Sequence, residues 1–201
     1  YQHGADTAML RAESDADPDD RLKLQRTFRN GFADVSAVTN LTTSTAANRL
    51  QTETFFQGEQ GDERIDYALN WQGADASAQV RSTTVNFYEG NARSLSATAD
   101  SKLILQRTFK DAFTSGLAAI DATSHYAANR LLSESYFEGA QGEEKLNYTL
   151  NYKGQYIAHV AAAPGAAEIL EVKEAVRSTM IALYQHGADT AMLRAESDAD
   201  P

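Results

Sequence analysis

The sequence predicts an α+β fold built twice: two homologous small domains, each with two helices, a β-hairpin and a long third element read as helix or strand, set in a tandem-repeat array. Three observations carry this reading. Apolar residues recur three and four apart in several stretches, which is the period of an amphipathic helix. Elsewhere the period falls to two, the mark of a strand with one buried face. The whole pattern also occurs twice, since residues 24–73 align without a gap against 105–154 and match at 23 of 50 positions, where unrelated stretches would match at roughly 6%.

A longer period encloses the first. Tyr1 to Pro18 recur letter for letter as Tyr184 to Pro201, a spacing of 183 positions, which points to recent duplication or to copies kept uniform by recombination. The expected division is residues 1–23 as the end of a preceding repeat and its linker, 24–104 as domain A, and 105–201 as domain B running into the next repeat. Tyr1 follows no initiator Met, charged n-region or apolar h-region, and its equivalent Tyr184 sits inside an apolar run. The segment is therefore expected to open midway through an element of a longer array.

Domain B gives the clearest element order. After Asp100-Ser101, a plausible N-cap pair, Leu105, Phe109, Phe113, Leu117 and Ile120 keep helical spacing. Domain A repeats it with Leu24, Phe28, Phe32 and Val35. A second helix is expected from Ser124 to Glu138, stopping near Gly139 and Gly142, with Gly58 and Gly61 as the stop in domain A. In Leu146 to Tyr152 apolar and polar residues alternate; Lys153-Gly154 and then Tyr156, Ala158 and Val160 read as the turn and return strand of a hairpin. Domain A has Ile65, Tyr67, Leu69 and Trp71, a turn at Gln72-Gly73, and a weaker return in Ala74 to Gln79.

The third element is helical by period over Glu168 to Leu193, with Val172, Val176 and Met180 four apart. Its counterpart in domain A, Val80 to Leu95, suits a strand equally well. Val80-Arg81-Ser82-Thr83 matches Val176-Arg177-Ser178-Thr179 at a shift of 96 rather than 81, so domain B carries an insertion of 15 residues around Ala161 to Gly165.

Composition excludes several function classes. Acidic residues number 28 against 18 basic, a net charge of −10, which disfavours nucleic acid and anionic membrane as partners because phosphate binding needs a basic footprint. There is no cysteine, so disulfides, thiolate metal sites and cysteine nucleophiles are absent together. No apolar run is long enough to insert in a membrane. No phosphate-cradling glycine loop, metal-binding His pair or nucleophile elbow occurs, so no enzymatic activity is expected.

Four groups of residues are weighed for chemistry. Asp15, Asp17, Asp19 and Asp20 alternate as oxygen ligands around a calcium ion would, although the turn glycine and distal Glu of an EF-hand loop are missing. A solvated acidic linker with capping aspartates is the blander account, and calcium is the one cofactor the sequence suggests. Trp71, Tyr148, Tyr152 and Tyr156 form a possible ligand face for sugar stacking, or else core. Arg49 and Arg130, in the repeated Ala-Ala-Asn-Arg-Leu, read as an anion-binding pair or as local structural ligands. His3, His186, His125 and His159 read as packed or solvated.

Apolar residues near the domain junctions, namely Tyr1, Met9, Leu10, Tyr88, Leu95, Tyr184, Met192 and Leu193, are the candidate repeat interface. The expected function is a structural segment of a large extracellular or cell-surface filament, stalk or appendage, with adjacent copies as partners, rigid junctions and scope for lateral self-association. The alternative is an adhesin spacer that binds a glycan or protein through the hairpin face or the 161–168 insertion.

Overall fold

The computed structural model describes residues 20–30, 32, 45–113, 120, 131–160, 169–185 and 192–193. The expected α+β fold is not what these residues form. Eight strands make one antiparallel sheet in sequence order: β1 Leu24–Phe28, β2 Leu50–Gln57, β3 Arg64–Gln72, β4 Gln79–Tyr88, β5 Leu103–Lys110, β6 Leu131–Glu138, β7 Lys145–Val160 and β8 Ile169–Ile181. Two short strands, β9 Tyr184–Gln185 and β10 Met192–Leu193, pair separately. Among the described residues there is no α-helix, only the 3₁₀ turns Asp75–Ser77 and Glu89–Asn91.

The helices expected at Leu24 to Val35 and Leu105 to Ile120 correspond to β1 and β5, and the second helix expected over Ser124 to Glu138 ends in β6. The reason is arithmetic: a spacing of four is even, so it keeps residues on one face of a strand as well as of a helix. Leu105 and Phe109 both enter the core, and Phe113 then packs edge-to-face on Phe109 with ring centroids 4.9 Å apart. Between them the inward position is Arg107, a buried cation that breaks the apolar alternation. Within the helix expected over Glu168 to Leu193, the described residues form β8, β9 and β10 rather than a helix, and the ambiguous Val80 to Leu95 resolves as β4 followed by a loop.

Gly58 and Gly61, and equally Gly139 and Gly142, end no helix; they form the β2–β3 and β6–β7 turns. Gly58 and Gly139 have φ of +121° and +125°, and a Cβ there would lie 2.5 Å from the Asp62 carbonyl and 2.8 Å from that of Glu143. Only glycine fits. The hairpin over Leu146 to Val160 is also corrected: β7 does not turn at Lys153-Gly154 but continues to Val160, and its partner is β8, with Val160 opposite Ile169. The insertion in domain B thus lengthens a hairpin that in domain A closes through Gly73 and the 3₁₀ turn at Asp75–Ser77.

One face of the sheet carries the apolar core. Val85, Phe87, Leu105, Phe109 and Leu131 form its core with Ile120, and Phe113 packs against it. The other face bears hydroxyls and amides that bond across strands, as in Thr84 to Thr108 at 3.2 Å and Ser135 to Thr149 at 2.9 Å. Such same-face pairs are the unit of sheet stabilisation.

Each turn also carries a carboxylate clamp. Glu63 accepts from the backbone N–H of Leu22 at 2.9 Å and of Gly61 at 2.9 Å; Glu144 accepts from Leu103 and Gly142, both at 3.0 Å. Burial, the largest single influence, opposes ionisation of both, but the backbone donors together outweigh it and hold each carboxyl below its usual 4.5. A depressed carboxyl stabilises the fold in full above its unfolded value and loses that contribution as pH falls through the folded one. Thermal melts should therefore show stability dropping below about pH 4.5, and the double variant Glu63→Gln, Glu144→Gln should melt lower near neutrality with a shallower acid limb.

Candidate functional site

Arg107 lies on the inward face of β5 directly opposite Glu134 on β6. Its Nε and Nη2 both reach Glu134 Oε1 at 2.6 Å. The second carboxylate oxygen accepts from the Tyr136 hydroxyl at 3.2 Å and from the Tyr152 hydroxyl. Burial, with the adjacent carboxylate, drives both phenols well above their usual range, so they remain protonated donors. A buried charge pair is tolerable only when its remaining lone pairs are satisfied, and these phenols satisfy them.

Domain A has a matching cluster 81 positions earlier, with Phe55 in place of Tyr136 and so one aromatic donor instead of two. Arg26 bonds Glu53 Oε1 at 2.7 and 2.8 Å, and Glu53 Oε2 accepts from the Trp71 indole at 3.0 Å. Trp71 and Tyr152 are therefore one position of the repeat, exchanged for each other because each supplies one polar hydrogen on an aromatic body. The adjacent ring stack is repeated too: Phe55 on Tyr67 at 4.3 Å, Tyr136 on Tyr148 at 4.5 Å.

The boundary between the halves is a seam of paired strands. Ser82 to Tyr88 of β4 run against Lys110 to Leu103 of β5, with one register shift near Tyr88. Gln106 donates to Asn86 Oδ1 at 3.0 Å across it, and Thr83 donates to the Asp111 carbonyl at 2.8 Å. The connector from Glu89 to Lys102 is held on both sides. Arg93 forms an ion pair with Asp66 of β3 at 2.8 Å and donates to the Ile120 carbonyl at 3.4 Å. The Ala99 carbonyl accepts from Arg64 of the first half and from Gln141 of the second.

The residues singled out by sequence fall out as follows. Trp71 and Tyr152 turn their donors to a carboxylate, and Tyr148 stacks on Tyr136, so these three belong to the cluster; Tyr156 lies in β7. Tyr88 is buried with its hydroxyl donating to the Ile65 carbonyl at 2.8 Å, and Tyr184 donates likewise to Leu146 at 2.7 Å. Leu95 is exposed. Met192 and Leu193 form β10 against β9. Tyr1, Met9, Leu10, Asp15, Asp17 and Asp19 lie outside the described residues, as do His3, His125, His186 and Arg130. Asp20 is buried, and among the described residues no three His, Asp or Glu side chains are grouped to hold a metal. In the Ala-Ala-Asn-Arg-Leu segment, Asn48 donates to the Asn30 carbonyl at 3.3 Å, and the Arg49 carbonyl accepts from Arg29 N at 2.8 Å.

Open clefts among the described residues include one of about 260 Å³ beside Lys23, Arg64 and Leu95 and one of about 410 Å³ beside Lys102, Tyr136 and Asn147. Neither is lined by a histidine. Comparisons with known protein families, with curated proteins and with solved structures find no match.

The buried pair gives a sharp test. Arg107→Ala should destabilise the fold by about 3–5 kcal/mol in denaturant melts, because Glu134 is left charged and buried without its partner. The double variant Arg107→Met, Glu134→Leu should recover much of that loss. Arg26→Ala should cost less, since Arg26 is more exposed than Arg107.

Proposed function

We propose that this chain is a structural, non-enzymatic tandem-repeat segment of a large extracellular filament, stalk or surface appendage, with rigid junctions between copies. The single observation that supports it most is the β4–β5 seam. The boundary between the two repeated halves is a backbone ladder with a pinned connector, and a ladder resists bending and rotation as a tether cannot. A heterologous contact that does not close a ring propagates without limit. The identity of Tyr1–Pro18 with Tyr184–Pro201, at a spacing of 183 positions, supplies the repetition.

An acidic, cysteine-free chain suits an exported polymer, and the surface charge opposes lateral bundling unless divalent cations screen it. The adhesin reading has one feature in its favour: the β7–β8 hairpin is lengthened in the second half alone, and a ligand-dedicated element is expected to differ between halves that share a scaffold. That hairpin would then be the recognition arm of an otherwise structural array.

Negative-stain imaging and solution scattering of a native stretch of several repeats separate these outcomes. Particles of uniform width whose length grows in proportion to repeat number are expected. Beads strung on flexible tethers would remove the filament reading, and small discrete particles would replace it with a processed carrier.

A further inference from the structure

We infer that β8 is an unfinished seam, and that its missing neighbour is the Leu24–Phe28 strand of a second copy of this repeat, paired in the register already seen between β4 and β5. The inference rests on the array reading and adds to it the contact that joins the copies.

β8 is the counterpart of β4 in its strand pairing over the shared stretch. Tyr67 faces Val85, Leu69 faces Thr83, Asn70 faces Ser82 and Trp71 faces Val80. Shifted through the repeat, Tyr148 faces Ile181, Leu150 faces Thr179, Asn151 faces Ser178 and Tyr152 faces Val176, with the bulge at the same place. The matching tyrosines, Tyr88 at the end of β4 and Tyr184 three residues past β8, donate to equivalent carbonyls, those of Ile65 and Leu146. A cation sits over each of these rings, Arg64 at 5.7 Å from the Tyr88 centroid and Lys145 at 5.8 Å from that of Tyr184.

The outer sides differ. Val85 and Phe87 are 0% exposed beneath β5 and the elements it brings, whereas Ile181 and Leu183, which hold the same repeat positions, are 52% and 53% exposed. Val176 and Met180 are nearly as open. Natural sheets blunt a free edge with charge, proline or a bulge; beyond the bulge at Arg177, the stretch from Ser178 to Leu183 carries no charge and exposes Met180, Ile181 and Leu183.

At the opposite edge, β1 repeats the Leu-Gln-Arg-Thr-Phe of β5. Leu105, Arg107 and Phe109 are buried, while Leu24, Arg26 and Phe28 are only half-buried. Each edge thus lacks what the other offers. Because Tyr184 to Pro201 repeat the sequence of Tyr1 to Pro18, on the array reading the next strand of the large sheet after β8, past the separate β9–β10 pair, is another copy of β1.

Transferring the β4–β5 register sets Thr179 opposite Phe28, Met180 opposite Thr27, Ile181 opposite Arg26, Ala182 opposite Gln25 and Leu183 opposite Leu24 of the second copy. Ile181 and Leu183 then cover the face that Val85 and Phe87 cover at the internal seam, with similar volume. The Thr84–Thr108 and Gln106–Asn86 side-chain bonds have no counterpart, because Met180 and Ala182 stand at those positions. The seam between copies is accordingly the more apolar of the two.

The absence of native cysteine makes disulfide trapping clean. In a chain of two full repeats, made by continuing directly from Pro201 into a second copy starting at Asp19, Met180→Cys in the first copy is combined with Thr27→Cys in the second. The pair should close under mild oxidation at a rate within about tenfold of the internal control Thr84→Cys, Thr108→Cys, since both satisfy disulfide geometry. Met180→Cys with Gln25→Cys, two residues out of register on the same face, should lag both.

Hydrogen exchange on the unsubstituted two-repeat chain gives a second readout that needs no variant. The Val176–Leu183 segment should split into two equal populations, one exchanging at least ~10-fold more slowly than in the single-repeat chain. A single fast population, or failure of the in-register pair to close while the control closes, overturns the strand pairing. Scattering from the same chain separates the two levels: a rigid, extended particle without the disulfide would keep the array and reject this contact, and a swivelling pair would reject both.

Discussion

Backbone pairing between β4 and β5 is the constraint around which the chain is arranged. A strand in the middle of a sheet has ladder partners on both sides, and a strand at its edge leaves one row of donors and acceptors open. By running β4 directly into a partner from the next half, the sheet removes the edge that each four-strand unit would otherwise present. Everything else at the boundary serves that ladder. The Glu63 and Glu144 clamps fix the approach of each unit's first strand to its hairpin turn. Arg93, Arg64 and Gln141 pin the connector against both halves.

The Arg–Glu cluster explains why the units tolerate divergence around a constant frame. A buried pair in which the arginine binds one oxygen and aromatic donors bind the other sets the spacing of three strands, β5 to β7 in one half and β1 to β3 in the other. Ion pairs of this kind add little net stability over apolar packing, but misregister leaves a charge stranded at a cost of several kcal/mol. The cluster therefore acts on register more than on stability, and a one-residue slip would turn it to the wrong face.

Much of the organisation was legible in the sequence. The duplication, the 15-residue insertion in the second half, the turn at Gln72-Gly73 and the alternation in Ile65 to Trp71 and Leu146 to Tyr152 all have structural counterparts. Strand identity elsewhere was hidden by two effects. Spacing of four fits both periods, so Leu105 and Phe109, or Val172 and Val176, cannot by themselves distinguish helix from strand. Charged residues at inward positions, Arg26, Glu53, Arg107 and Glu134, break the apolar alternation that marks a strand. The signal that could have exposed them was present: Arg26 and Arg107, Glu53 and Glu134 are identical in both halves, with an aromatic donor kept at Trp71 and Tyr152. An arginine, a glutamate and an aromatic held in phase through a divergent repeat point to one contact.

If the sheet continues through every junction, its geometry follows from strand spacing. Eight strands per period at the usual interstrand distance give an axial rise of about 38 Å per repeat, and the usual strand-to-strand twist gives roughly half a turn over the same length. Helical reconstruction of the intact array by electron cryomicroscopy measures both directly. A rise near about 38 Å with strands lying across the fibre axis is the expected result; a longer, variable rise, or strands lying along the axis, would contradict a continuous sheet.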